Sequence, residues 1–296
     1  MAAAESPTIQ RGRLRAELRR ARREAGLTQE QVADAMEWSL SKVIRIEGGT
    51  VSVSITDLRA LLGHYQVTDP EEIDSLVRLA RAARERSWAN EYKEIISPQY
   101  LSYIEYENAA SIIRQFEPLL IPSLLQTEEY MRALLDDFAA TQSRKDALVQ
   151  LRLRRQELLE QEQQPDLHFV MDEAAVRRQV GGPDAARRQL GHLVTMAGRD
   201  NITIEIVPFS AGYHPGMRGP LVLFEFPDPR DNDVLYLENS RRGRQSTETV
   251  VGGDDAELVA TYREIFETLR KLSLGPDKSR VFLKRLSDEL QRGPGS

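Results

Sequence analysis

Apolar positions recur at spacings of three and four from near the start of the chain. Leu14, Leu18, Ala21 and Ala25 share one face of a helix beginning at Arg11, with arginines on its other faces. Gly26 ends that helix, because a glycine there takes the left-handed conformation without a Cβ penalty. Thr28 caps a second helix, and Gln31 completes a Thr-x-x-Gln capping box. Val32, Ala33 and Met36 form its apolar side. Ser39 caps a third helix, Leu40 to Glu47, which Gly48-Gly49 closes. A fourth runs from Ser54 to Gly63, with Ile55, Leu58, Leu61 and Leu62 facing inward. A fifth follows Asp69-Pro70, with proline in its first turn, and continues through Ile73, Leu76, Leu79 and Ala80 toward Trp88.

Helical spacing continues over Tyr100–Phe116, Thr127–Phe138 and Arg144–Glu162, the first two separated by Pro118 and Pro122. Beyond Pro165 the period shortens to two. Strands are expected at Leu167–Met171, Ile202–Val207, Leu221–Phe226 and Val234–Glu238, with a helix at Asp184–Gly198. The chain returns to helix over Asp255–Leu272 and Lys278–Leu290. The expected fold class is therefore mainly α with α+β: a five-helix N-terminal domain, a helical linker region and a C-terminal α+β domain. The expected boundaries are a disordered tail at 1–10, the first domain at 11–68, a linker helix at 69–94 and the second domain at 95–290.

Charge adds a polarity to this plan. The whole chain carries −6, which argues against a uniformly cationic nucleic-acid coat. Residues 1–60, however, hold 10 basic side chains against 8 acidic ones, and residues 61–296 hold 30 against 38. Gln10 to Gly26 alone has seven arginines against Glu17 and Glu24. A basic end that attracts a polyanion precedes an acidic body that repels one. The absence of cysteine excludes disulfides, zinc ribbons and cysteine nucleophiles. No apolar run nears the ~20 residues that span a bilayer, and Met1 to Gln10 lacks the apolar core of a secretory signal. A cytoplasmic, nucleoid-associated protein with no membrane partner is the expectation.

A glycine turn after the first helix, a capped second helix and a serine-capped third make a helix-turn-helix pattern. With Val43 and Ile46 turned inward, the third helix presents Leu40, Ser41, Lys42, Ile44 and Arg45. Entering a major groove by its N-terminus, it would bring Leu40, Ser41 and Lys42 to base edges and Arg45 one turn deeper. Ser39 would cap it beside a phosphate. Gln29 would touch backbone phosphate and brace the third helix. Thr50 joins the same DNA-facing set, and Arg11, Arg13, Arg15 and Arg19 supply the sequence-independent attraction.

The run Leu18…Arg22…Gly26-Leu27-Thr28-Gln29…Val32-Ala33…Ser39…Val43…Arg45-Ile46-Glu47…Gly49…Leu58…Leu62…Tyr65 resembles the XRE/Cro-type helix-turn-helix domain, which is lambda-repressor-like in fold. The resemblance implies double-stranded DNA as a partner and an ion pair between Arg22 and Glu47. Leu40 and Ile44 depart from the polar residues common at those positions, which thins hydrogen-bond readout. Further on, Tyr106-Glu107…Phe116-Glu117…Leu120-Ile121-Pro122…Leu124-Leu125-Gln126-Thr127…Tyr130 forms one motif set. Phe169…Asp172-Glu173-Ala174…Gly181-Gly182…Gln189-Leu190…Val207-Pro208-Phe209…His214-Pro215-Gly216…Phe224-Glu225-Phe226…Tyr236…Glu238 forms another. Together these resemble the C-terminal domain of actinobacterial regulators of the Scr1-type antitoxin-like, or WhiJ-like, developmental class. That resemblance implies a transcription factor paired with a small BldB-like protein encoded nearby.

Signals for catalysis are weak. No two of His64, His168, His192 and His214 have the spacing of a helical metal site, and no nucleophile elbow or phosphate loop is present. No cofactor is expected, and the chain reads as a regulator rather than an enzyme. The turn-rich segment Ala211 to Gly216 is open to two readings. Either it lids an effector pocket with Glu173, His214, Arg218 and Glu225, or it is a long β-connection. Asp172 and Glu173 read either as paired carboxylates or as caps of the following helix. Arg144–Glu162 reads as a solvated helix or an interface, and Phe116–Leu125 as core or partner groove. A homodimer is expected, because one small helix-turn-helix contacts few base pairs. The effector is expected to be the small protein, with a sensed small molecule as the alternative.

Overall fold

A computed structural model describes residues 7–48, 51–85, 87–136, 141–228, 231–239, 247–251 and 255–292. They form two compact units, one from the N-terminus to Asn90 together with Asp228–Asp231, the other comprising the rest. The first unit is built from α1 (Pro7–Glu24), α2 (Gln29–Ala35), α3 (Leu40–Gly48), α4 (Ile55–His64) and α5 (Pro70–Ala82). Gly26 adopts φ +70°, and the Leu27 amide returns to the Arg22 carbonyl at 3.1 Å, closing α1 as the sequence predicts. Two local expectations change. The helix starts at Pro7 rather than Arg11, because Ile9 and Gln10 are buried; of the expected tail, residues 1–6 lie outside the described residues. The helix expected in a linker is α5, whose Leu76, Val77 and Ala80 pack into one core with Leu18, Leu58 and Leu62.

The second unit is a six-stranded mixed sheet in the order β3-β2-β1-β4-β5-β6. Its strands are β1 (Ile112–Glu117), β2 (Asp166–Asp172), β3 (Ile202–Val207), β4 (Leu221–Glu225), β5 (Val234–Asn239) and β6 (Thr247–Val251). β1, β2 and β3 run parallel, while β4, β5 and β6 continue antiparallel from β1. The helices are α6 (Pro98–Ala109), α7 (Glu128–Leu135), α8 (Gln142–Gln156), α9 (Glu173–Arg177), α10 (Pro183–Met196), α11 (Ala256–Leu272) and α12 (Pro276–Arg292). The expected helix over Tyr100–Phe116 is thus a correction: it stops at Ala109, and its last third is the central strand. Arg114, Gln115 and Glu117 disguise that strand: the carboxylate that meets Arg114 is Glu225 of β4, while Gln115 and Glu117 pair with each other along β1. Among the described residues no helix is long and apolar enough to cross a membrane.

The pleat of β1 divides the unit. Phe116 joins Val170, Leu221, Leu223 and Leu235 beneath Phe266 and Leu269 of α11. On the opposite face, Gln115 and Glu117 look toward α6 and α8, where Tyr103 packs edge-on against Phe224 and Tyr236. The outer edge of β3 is covered: the Ile206 amide donates to buried Ser279 Oγ at 2.9 Å, and the Leu274 amide donates to the Ile206 carbonyl. Such cover removes an exposed strand edge. Most of Phe116–Leu125 is core, with Leu119 alone of its apolar side chains strongly exposed.

Candidate functional site

The capping box of α2 forms as expected. The Gln31 amide donates to Thr28 Oγ1 at 3.2 Å, and the Thr28 amide donates to the Gln31 side chain at 2.8 Å. Ser39 Oγ accepts from the Lys42 amide at 3.2 Å, capping α3. Val43, Ile46 and Glu47 turn inward, and Leu40, Ser41, Ile44 and Arg45 turn outward, Ile44 being 48% exposed. Lys42 is turned aside from this face: its ammonium lies 3.4 Å from the centroid of the Trp38 ring and 3.3 Å from Asp57. Thr50 lies outside the described residues.

What aims α3 is a buried carboxylate. Glu47, 3% exposed, accepts from Arg22 Nε at 2.7 Å, Arg22 Nη2 at 3.1 Å and Gln29 Nε2 at 2.7 Å. The pairing implied by the resemblance is therefore present, and Gln29 braces α3 from the start of α2. Glu47 in turn holds the Arg22 guanidinium above its ordinary pKa, chiefly through that hydrogen bond. Arg15 and Arg19 donate to the carbonyls of Gly48 and Glu47 at 2.9 and 3.0 Å. They satisfy the last turn of α3 and complement its dipole. Arg13 is held by Asp228 and Asp231, two acidic residues grouped with this unit.

In the second unit the four expected effector residues do not gather into one site. Asp172, at the end of β2, caps α9 through the Ala174 amide at 2.7 Å, as the capping alternative has it. Its other oxygen lies 3.1 Å from Nε2 of His214, which is 2% exposed. Glu173 accepts from the Phe209 amide at 2.8 Å. These two neighbours pin the β3–β4 connection to the sheet, and Gly216 lies so close that a Cβ there would sit 2.5 Å from the Phe116 ring. Arg218 is exposed. Glu225 pairs with Arg114 at 2.7 Å and with Arg263, at the end of β4 that faces Ile112. The register separates it from Asp172 by the length of β2, roughly 20 Å at ~3.3 Å per residue.

A concave site does exist, elsewhere. A cavity of about 760 Å³ lies between α8, the segment 95–103 and the β1–β4–β5 face. Gln115, Glu117, Gln126, Arg152 and Arg155 converge on it amid Leu, Ile and Tyr side chains. Desolvation pushes the Glu117 carboxyl up to about 8; the Gln115 hydrogen bond opposes that rise and the charge of Glu238 adds to it. Sequence reasoning missed this site; the signal that could have found it is the set of polar residues in and beside an apolar segment, Gln115, Glu117 and Gln126.

The profile described as "Helix-turn-helix domain" matches residues 13–76, and that described as "Domain of unknown function (DUF5753)" matches residues 100–285, more than half of the chain. The chain belongs to the DUF5753 family. The DUF5753 region spans α6 into α12 and contains the whole cavity-bearing sheet. The N-terminal unit of this DUF5753 protein is a helix-turn-helix DNA-binding domain, and its matched region includes part of α5. No curated protein and no solved structure matches the chain.

Trp38 and Trp88 are the two tryptophans and both lie in the first unit, so their fluorescence reports its unfolding. Glu47→Ala should destabilise that unit by about 3–5 kcal/mol, as expected when one partner of a buried ion pair is removed. Urea unfolding followed by tryptophan emission measures this, and an unchanged midpoint would mean the pair is dispensable.

A second expectation concerns pH. The unfolded chain ionises Glu117 near 4.5, whereas the folded DUF5753 region keeps the proton up to about 8. Its stabilising contribution is fully present below the lower value and is lost as pH rises through the upper one. Glu117→Gln stays neutral throughout. Its Tm relative to the unmodified protein should therefore improve between about pH 5 and pH 8 and level off above that. A difference independent of pH would show that the carboxyl titrates normally.

Proposed function

We infer that this protein is a sequence-specific transcriptional regulator that binds operator DNA as a homodimer and carries its effector site in the DUF5753 region. The observation supporting DNA readout most directly is the outward face of α3, Leu40, Ser41, Ile44 and Arg45, opposite a buried side locked by Glu47. Arg45 reads a base, Ile44 and Leu40 contact thymine methyl groups, and Ser39 and Ser41 lie near the phosphate at the helix start. Gln29 and Arg15 position α3, and Lys42 and Thr50 supply phosphate contacts, whereas Arg13, expected among those contacts, is neutralised by Asp228 and Asp231 and leaves the interface. The regulator acts in the cytoplasm at the nucleoid and is not an enzyme. Dimerisation lets two small readers reach the affinity one cannot.

The effector is a small partner protein of the BldB-like kind, in an antitoxin-like, developmental setting. This rests on the family resemblance together with one surface feature. Phe209, Tyr213 and Met217 are 58%, 75% and 58% exposed within a single loop, next to a groove lined by Pro208, Ser210, Val281 and Phe282. Apolar side chains clustered this way mark protein-binding surfaces. A second reading, sensing of a small molecule, is favoured by the 760 Å³ cavity instead of the His214 loop.

Two experiments test these readings. An operator is first selected from random duplexes. Arg45→Ala should then weaken binding to it by about 1–3 kcal/mol while leaving random duplex binding nearly unchanged. Equal loss on both duplexes would remove Arg45 from base readout. Replacing Phe209, Tyr213 and Met217 together by serine should abolish a stoichiometric complex with the purified small partner, measured by calorimetry, without altering the operator affinity. Retained binding would exclude that loop as the docking surface.

A further inference from the structure

The cavity in the DUF5753 region has a charge arrangement that the regulator reading leaves unused. α8 places Arg152 and Arg155 three residues apart, on the same face of the helix and on the same cavity. Their situations differ. Arg155 forks onto Glu107, with Nε–Oε1 at 2.8 Å and Nη2–Oε2 at 2.6 Å, and its third nitrogen donates to the Tyr100 hydroxyl. Its charge is answered. Arg152 donates only to Gln126 Oε1, at 2.9 Å, and among the described residues forms no ion pair. Gln126 is itself buried and fixed by donating to the Ile121 carbonyl at 2.7 Å, so it holds Arg152 in place without neutralising it.

The other polar groups do not supply the missing charge. Glu117 accepts from Gln115 at 2.8 Å and is predominantly protonated near neutral pH, so it offers a hydroxyl donor rather than a counter-ion. Glu238 stands exposed at the rim and acts on both Glu117 and Arg152 through space. Burial lowers the pKa of Arg152, yet a guanidinium remains charged at neutral pH. The faces of Tyr100 and Tyr103 already carry the Arg155 guanidinium, at 5.4 and 5.1 Å, which leaves no aromatic cage for a cationic guest. Ile95, Leu120, Leu134, Leu148 and Leu151 form an aliphatic part of the wall; exposed Arg144, which donates to the Ile95 carbonyl at 2.9 Å, also lines it, with Ser97, Gln99 and Ser123.

We propose that this cavity binds a small amphipathic organic acid, its single carboxylate on the Arg152 guanidinium beside Gln126 and its apolar body along the aliphatic wall. A volume of about 760 Å³ is that of a pocket for a drug-sized molecule. The unanswered guanidinium held inside the cavity, that of Arg152, matches one carboxylate; Arg144, the other lining arginine without an ion pair among the described residues, is exposed, so a nucleotide or polyphosphate would bring several charges to a single sheltered cation. Gln115 and Glu117 offer hydrogen bonds to a hydroxyl or amide elsewhere on the same molecule. The proposal deepens the second reading of function, small-molecule sensing, by giving the chemistry of what is sensed.

The test is calorimetric titration of the full-length protein at neutral pH with 1-naphthoate, decanoate and uncharged 1-naphthamide. At least one acid should bind saturably with one-to-one stoichiometry, and 1-naphthamide about tenfold or more weaker than 1-naphthoate. Arg152→Met should reduce acid affinity about tenfold while leaving amide binding unchanged, and Arg152→Lys should recover part of the loss. Leu148→Trp, which fills the cavity without touching the charge, should abolish binding of all three. Equal affinity for naphthoate and naphthamide overturns the proposal, as does unaltered acid binding in a folded Arg152→Met protein. Failure of both acids to bind more tightly than about 1 mM does the same. The acid and amide comparison uses the unmodified chain, so it decides even where a variant does not fold. No DNA is present in these titrations: a protein that binds acids and no duplex refutes the regulator reading alone, and the converse refutes the acid site alone.

Discussion

A carboxylate taken out of water must be met by a cation or surrender its charge, and both units are organised by that constraint. Glu47 meets Arg22 and Gln29 at the end of α3. Glu107 meets Arg155 across α6 and α8, with both side chains 1% exposed. Each pair ties a helix to another far away in sequence, and neither can be half-removed without leaving a stranded charge. In the first unit the result is orientation. Glu47 is the last inward side chain of α3, and holding it from α1 and α2 fixes the rotation of the helix about its axis. Only with that rotation fixed do Leu40, Ser41, Ile44 and Arg45 share one outward face.

The same constraint read in reverse explains the second unit's cavity. Glu117 lies on the cavity face of β1 without a cation, and it keeps its proton instead. Arg152, which cannot lose its charge so cheaply, is left with one amide oxygen. The strand that carries Glu117 also carries Phe116 on the other face, where the ring is clamped between α11 and the Gly216 turn. Substitutions in β1 thus act on core and cavity together. The two faces cannot be moved independently, because alternate side chains of one strand share one backbone.

The outward face of α3, the proposed DNA face, is sparse in hydrogen-bonding groups. Two of its four outward side chains are aliphatic, and Lys42 is engaged with Trp38 and Asp57. On the proposed function, readout by such a surface would rely on thymine methyl contacts, on Arg45 and on the shape of the duplex, with phosphate contacts fixing register. The arginines of α1 have a second occupation. Arg15 and Arg19 close the carbonyl end of α3, so part of the basic charge of this helix serves the fold of the reader it accompanies.

Local rules carried much of this into the sequence. Glycine after α1, the Thr28–Gln31 box, the Ser39 cap and the three-four spacing of Leu14, Leu18 and Ala21 depend on residues a turn apart, so the helix-turn-helix was legible along the chain. Four strands were legible for the same reason, being short apolar runs between turn residues. The central strand was not: Arg114, Gln115 and Glu117 look like a solvated helix until Glu225, α6 and α8 are brought against them. Nor was the effector region. Glu173, His214 and Glu225 lie near one another in the motif set, but the parallel register of β1 and β2 sends Glu225 to the far end of the sheet. Arg152 and Arg155 show the limit most plainly. They are the same residue type on the same face of one helix, and what distinguishes them is Glu107, 48 positions away from Arg155 in the chain and 2.6 Å from it in the fold. Periodicity fixes which way a side chain points; whether its charge is answered depends on what tertiary packing brings to meet it.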